Sequence, residues 1–423
     1  PGAGQSSSVG NFSVKNGAVL LKSGTLSVTT NNGLKVGGAT VPTFTLDGGT
    51  LNTTGGAYVG GDTAGGRGTF TINSGNWTNT GAGSFISIQF GVTGNGSVMN
   101  VNGGLVDSPR IQLGQNAGTS TLNLNGGIVA VNDLFNSGST SVLNLNGGTL
   151  RAKATSTNFI FLAGASTVNV LAGGAIIDTN SFNSTITVPL LSGTANDGGL
   201  TKQGAGTLTL AGTNTYTGDT TVSAGTLAVD GDSIADTNKL VINGGTVNLT
   251  NAETVNTLFF GAAQQPSGTY STSSVPVGAT ITTASFTGSG TLIVTSGPPG
   301  FASWQTANST AGGLDADHDN DGVSNGIEYF IYGSVANSGF TALPGVTNTA
   351  GILSVTYTKA ATYTGVYGTD YVVETSSTLT GEWTTEIANP NLGFTVTFPS
   401  ATEVKYTFPA GTRNFVRLKV TGP

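Results

Sequence analysis

The chain has 423 residues, with 67 glycines, only 8% charged residues and 37% apolar ones. Ordinary soluble domains carry about 7% glycine and about 25% charged residues, so this is neither a typical globular enzyme nor a highly charged disordered chain. A balance of 14 basic against 21 acidic residues argues against nucleic-acid binding, and one His with no Cys leaves almost no basis for zinc, thiol or Ser/His/Asp chemistry.

The first ten residues are small and polar and do not read as a signal peptide, so the leader of a secreted protein is expected to have been removed or omitted, and no apolar run is long enough for a membrane-spanning helix. A repeat then emerges. Residues 44–49 read FTLDGG, 70–75 FTINSG, 99–104 MNVNGG, 122–127 LNLNGG and 143–148 LNLNGG. Looser copies stand at 168–174 and 240–245. From Gly49 to Gly174 the second glycines are 26, 29, 23, 21 and 26 residues apart. Apolar residues alternate within each copy, so each is a strand with one buried face. Asn-Gly-Gly supplies positive φ and a sharp corner. A hairpin meander would use that corner between antiparallel neighbours. A β-solenoid would use it once per coil, and the spacing of one copy per 20 to 30 residues favours the solenoid. Stacked coils would also let the recurring asparagines form ladders. The secondary turns at 60–62 and 114–118 fall between copies.

Residues 198–212 (GGLTKQGAGTLTLAG) and 213–229 (TNTYTGDTTVSAGTLAV) resemble the autotransporter-associated β-strand repeat, also called the passenger-associated transport repeat. Residues 286–294 (FTGSGTLIV) resemble its closing segment. The resemblance implies a right-handed β-helix exported to the surface of a diderm bacterium or to its medium. An autotransporter of the usual kind ends in a membrane β-barrel, whereas here residues 296–300 read as a linker and an acidic loop follows.

The loop runs DADHDNDGVSNGIE over 315–328. From Asp317 it fits the EF-hand loop formula: Asp317, Asp319 and Asp321 at positions 1, 3 and 5, Gly322 at 6, the Val323 carbonyl at 7, Asn325 at 9 and Glu328 at 12. Asp315 is an added candidate ligand. The pattern is similar to dockerin and thrombospondin type 3 loops, and that likeness implies a structural calcium ion. His318 is expected to be an exposed loop residue. A short helix over 301–308 and a second from Glu328 to Tyr332 would flank the loop, with Phe330 or Ile331 against Trp304.

From about residue 343, alternating runs at 352–357, 371–375, 394–398, 404–408 and 415–420 suggest a small β-sandwich. It resembles the terminal β-domains that follow such calcium loops. Trp383 could stack on a sugar, although a core position is the better reading.

The expected fold is therefore all-β. A β-solenoid covers 1–295 and includes the transport-type repeat 198–229. A linker and calcium loop cover 296–342, and a β-sandwich covers 343–423. Catalysis finds little support. The first 300 residues hold eleven scattered carboxylates, of which only Glu253 is a glutamate, whereas glycosidases pair two at short range. Asp47 stands where other copies have Asn, and Asp230, Asp232 and Asp236 read as a solvated turn. No catalytic residue is expected. The leading expectation is an extracellular structural protein, a self-assembling subunit of a surface fibre or sheath whose partner is a second copy of itself. The alternative is a monomeric adhesin for a surface polysaccharide; a polysaccharide-degrading β-helix is third.

Overall fold

A computed structural model describes residues 5–60, 66–81, 83–88, 95–114, 119–138, 140–276, 279, 281–297, 300, 301, 304, 305, 312–332, 344–361, 363, 365–386, 395–409 and 415–422. The secondary turns at 60–62 and 114–118 and the helix expected over 301–308 lie largely outside them, as do two residues of the linker at 296–300. The chain divides into two compact units, Pro1–Thr295 and Ser296–Pro423.

The first unit is a parallel β-solenoid. Each coil lays its strands in register on those of the coil before. Thus Leu105–Asp107 follows the second half of Thr69–Thr80 and precedes Ile128–Val131, which precedes Thr149–Ala152. A second face is a 12-stranded sheet to which each coil adds one strand, as in the series Ile86–Ile88, Arg110–Leu113, Asp133–Phe135, Ser156–Phe161. The third face carries the repeat copies, including Asn95–Val101, Thr119–Leu124, Thr140–Leu145 and Thr167–Val170.

Period-two alternation decides what stacks inside. Leu46, Ile72, Val101, Leu124, Leu145 and Val170 are successive register partners and are all buried. Phe44 and Phe70 stack at 4.7 Å between centroids, and Phe70 and Trp77 at 4.4 Å. The corners stack as closely as the strands. Gly104 has φ 70°, and a Cβ there would lie 2.2 Å from the Gly75 carbonyl oxygen, so no other residue fits.

Outward from the third face run two amide ladders. Asn123 donates to Asn100 at 2.8 Å, Asn144 to Asn123 at 2.7 Å and Asn169 to Asn144 at 2.9 Å. Two residues further on, Asn102 donates to Asn73, Asn125 to Asn102 and Asn146 to Asn125, at 3.0, 3.0 and 3.2 Å. An amide both donates and accepts, so identical side chains one coil apart satisfy one another. Asn123→Ala removes two such bonds and is expected to lower stability by about 1–2 kcal/mol, read as a lower denaturant midpoint; Asn125→Ala, on the exposed ladder, should cost less.

The coils of the transport-type repeat are shorter. The third strand is absent from the two coils after Leu190–Ser192, which keep Leu200–Gln203 with Thr207–Leu210 and Thr220–Val222 with Thr226–Val229; the next coil, Lys239–Ile242 with Thr246–Leu249, regains one at Glu253–Val255. The step between stacked residues falls from 29 at Asn73 and Asn102 to 20 at Thr226 and Thr246.

The second unit holds two antiparallel sheets. One orders Gly345–Thr349, Ile352–Thr358, Glu403–Thr407 and Thr395–Ser400. The other orders Thr384–Thr385, Tyr371–Ser376 and Phe415–Val420. Val355, Tyr357, Val404 and Tyr406 of the first share a core with Tyr371, Val373, Leu418 and Val420 of the second, which is the expected small sandwich. Tyr329 and Phe330, from the helix Asn325–Tyr332, belong to the same core.

Candidate functional site

The acidic loop gathers the expected carboxylates. Oxygens of Asp317, Asp319 and Asp321 all lie within 4.8 Å of one another. The loop wraps on its own amides: Asp317 accepts from the N–H of Asp321 at 3.2 Å and of Gly322 at 2.9 Å, and Asp321 accepts from Val323 at 2.9 Å. Asn320 and Gly322 have φ of 60° and 93°, the left-handed geometry that turns the chain sharply. Asn325 is fully buried at the start of the helix. Its carbonyl oxygen accepts from His318 N–H and its amide donates to the Gly313 carbonyl, each at 3.2 Å, so this side chain ties the loop shut. Glu328, in the first helical turn, is 1% exposed. Asp315 stands apart from the group of three and lines a recess with Ser324, Ile327 and the strand Phe415–Val420. The His318 side chain is exposed, as expected.

Three carboxylates this close repel one another, and an all-oxygen donor set suits a hard cation such as Ca²⁺ far better than a soft metal. The loop is also mechanically coupled to its domain. Tyr329 packs on Trp304 at 5.8 Å, and Phe330 meets Tyr363 and Tyr371 at 5.0 and 5.1 Å. Tyr329 is a ring partner of Trp304, while Phe330 and Ile331 pack in or against the same core cluster. Trp383 is not a core residue: it is half-buried, with the Arg417 guanidinium 4.2 Å from its ring centroid.

A second polar constellation lies inside the shortened coils, and reading the sequence for motifs passes over it. Lys202 sits in the core column between Ile177 and Val222 and is completely buried. Its ammonium donates to Thr179 Oγ1 and to the carbonyls of Gln203, Gly204 and Ala224, at 2.7 to 3.0 Å. The signal was available: alternation places Leu200 inward, Thr201 outward and Lys202 inward. Asp197 accepts from the N–H groups of Thr217, Gly218 and Gly199 at 2.7, 2.8 and 3.0 Å. Burial works to raise its pKa, but these bonds and one from Ser192 hold it below the usual carboxylate value. Glu253 is buried and accepts from Ser233 and Ile234 N–H at 3.1 and 3.0 Å. Burial pushes its carboxyl up to about 7 against those bonds, with Asp232 and Asp236 adding to the rise. Asn214 accepts from Leu190 N–H and donates to the Ser233 carbonyl. Tyr216, also buried, shares a 2.7 Å bond with Thr220. These side chains satisfy the backbone where the third strand is missing. Asp230 accepts from Asn251, and its N–H donates to Ser233 Oγ, as a turn residue does.

Residues 200–229 match the model of the Passenger-associated-transport-repeat family. No curated protein and no solved structure matches the chain. A transport repeat within a parallel β-solenoid is the makeup of an autotransporter-related surface or secreted protein. Among the described residues no helix is long and apolar enough to cross a membrane.

Proposed function

We propose that the chain is a non-catalytic extracellular structural protein: a β-solenoid shaft joined to a calcium-stabilised β-sandwich, whose copies assemble into a surface fibre or sheath. The observation that carries assembly is the strand Gly345–Thr349. It lies at the edge of its sheet, all five residues are exposed, and among the described residues no strand pairs with its outer side. Monomeric proteins blunt such edges with Lys, Pro or a bulge. This one reads GVTNT, uncharged and without Pro, with Val346 62% exposed. A strand of a second copy would extend the sheet through backbone hydrogen bonds.

Calcium is assigned to the 317–328 loop on the convergence of three carboxylates, the left-handed turn at Gly322 and the buried Glu328. The carboxylates of the shortened coils support a non-catalytic reading, since Asp197 and Glu253 are engaged in holding backbone N–H groups.

Electron microscopy of the purified protein, with and without a chelator, tests assembly. Regular filaments are expected, and Val346→Lys should abolish them without altering circular dichroism. Loss of filaments on chelation would place the calcium loop at the joint. Isolated particles in every condition would sink the fibre reading in favour of a monomeric adhesin.

A further inference from the structure

We propose that the solenoid carries a saccharide subsite on the face of the 12-stranded sheet, shaped for a neutral pyranose unit of a polysaccharide. It does not depend on whether copies assemble. The site begins with a break in register. Ser156 pairs with Ser184 and Ile160 with Ile186, so the strand Ser156–Phe161 holds two residues more than its neighbour over that stretch. Alternation fails accordingly: Thr157 and Asn158 are exposed in succession, Phe159 and Ile160 are buried in succession, and Phe161 is exposed again. A bulge of this kind re-aims side chains and opens a sheet surface.

Beside the bulge lies a recess of about 360 Å³, within the range of about 300–1,000 Å³ usual for small-ligand sites. Two register pairs on adjacent coils line it, Arg110 with Asp133 and Phe135 with Phe161. The Arg110 guanidinium lies 4.0 Å from the Phe135 ring centroid, and its Nε–H donates to Asp133 at 2.7 Å. The arginine is thereby held at two points and keeps further N–H donors for a ligand. Thr157 and Asn158 bring a hydroxyl and an amide to the rim.

The chemistry selects the occupant. Phe161 presents a ring that is 46% exposed, next to groups that both donate and accept. A pyranose offers the matching surfaces, one apolar C–H face and a rim of hydroxyls that donate and accept. Asp133 balances Arg110, so a phosphate, sulfate or uronate would meet a carboxylate beside the guanidinium. Strand addition by a peptide is closed here, because Asp133–Phe135 and Ser156–Phe161 are each paired on both sides.

The test is affinity electrophoresis of the full chain in gels containing hydroxyethylcellulose, galactomannan or dextran, with alginate as an anionic probe. At least one neutral polymer should retard the protein. Phe161→Ala should weaken that retardation about tenfold, the scale of losing one aromatic contact, with unchanged circular dichroism. Phe161→Trp should restore it, and Asn158→Ala should weaken it less. No retardation by any neutral polymer overturns the proposal. So does retardation by alginate alone, or equal retardation of Phe161→Ala.

Discussion

Lys202→Ala is expected to destabilise the solenoid by about 3–5 kcal/mol, the scale of breaking a buried polar cluster and leaving a cavity in a packed core. The ammonium is the shared donor for Thr179 and the Ala224 carbonyl on the adjoining coils and for the Gln203 and Gly204 carbonyls of its own. Lys202→Met separates the two contributions. It keeps most of the volume but takes the ammonium from the Gly204 and Ala224 carbonyls, which should cost about 1–3 kcal/mol for each one that water cannot reach; the Gln203 carbonyl still accepts from Thr179 N–H. The readout is the denaturant midpoint of the first unit. A Lys202→Met variant as stable as the parent would show that the carbonyls find other partners.

The same residue gives a pH signature. Burial pushes the Lys202 amine down to about 8, with Asp178 opposing the shift. In the unfolded chain a lysine titrates near about 10.4. Between those values the unfolded chain binds more protons than the folded one, so this group's contribution to stability rises as pH increases from about 8. Above about pH 10 the tyrosines act the other way: burial holds Tyr216 above its ordinary value and pushes Tyr270 up to about 12. Thermal unfolding between pH 7 and 10 should show the rise in the parent and lose it in Lys202→Met. Equal slopes in the two proteins would remove Lys202 as the cause.

Calcium is expected to stabilise the second unit and leave the first untouched. An extracellular-type loop binds at about 10⁻⁴–10⁻³ M, so about 10 mM calcium reaches up to about a hundred times the dissociation constant and adds up to about 2.7 kcal/mol. Calorimetry should show two transitions, of which only that of 296–423 moves between calcium and chelator. The effect reaches the sandwich because the helix that leaves the loop puts Phe330 into the shared aromatic core. Asp319→Asn removes one charge while sparing the bonds that Asp317 makes to Asp321 and Gly322 N–H. It should weaken the calcium response without unfolding the loop. Identical transitions in calcium and chelator would overturn the assignment.

Legibility followed periodicity. Strands recur in register wherever LNLNGG-type copies recur, and the asparagines of those copies meet as ladders because one coil separates them. The acidic cluster was equally readable, since Asp317, Asp319 and Asp321 are neighbours along the chain. Partners distant in sequence were not. Nothing near Trp383 announces Arg417, and nothing near Asp197 announces the Thr217 and Gly218 amides it holds. The inward place of Lys202 was implied by alternation, but half of what makes a buried ammonium tolerable, Thr179 and the Ala224 carbonyl, comes from two other coils.

By itself, then, the sequence determined the coil: an alternating strand, a glycine corner and a repeat length, all local and all set by backbone sterics and side-chain direction. It also determined the acidic loop, for the same reason. Tertiary structure alone decided where the third strand disappears, because there the backbone is satisfied by Asp197, Asn214 and Glu253 across coils rather than by a neighbouring strand. It alone decided the bulge at Ser156–Phe161 as well. Register is a relation between two strands, and an extra pair of residues becomes a recess only when the next coil is laid against it.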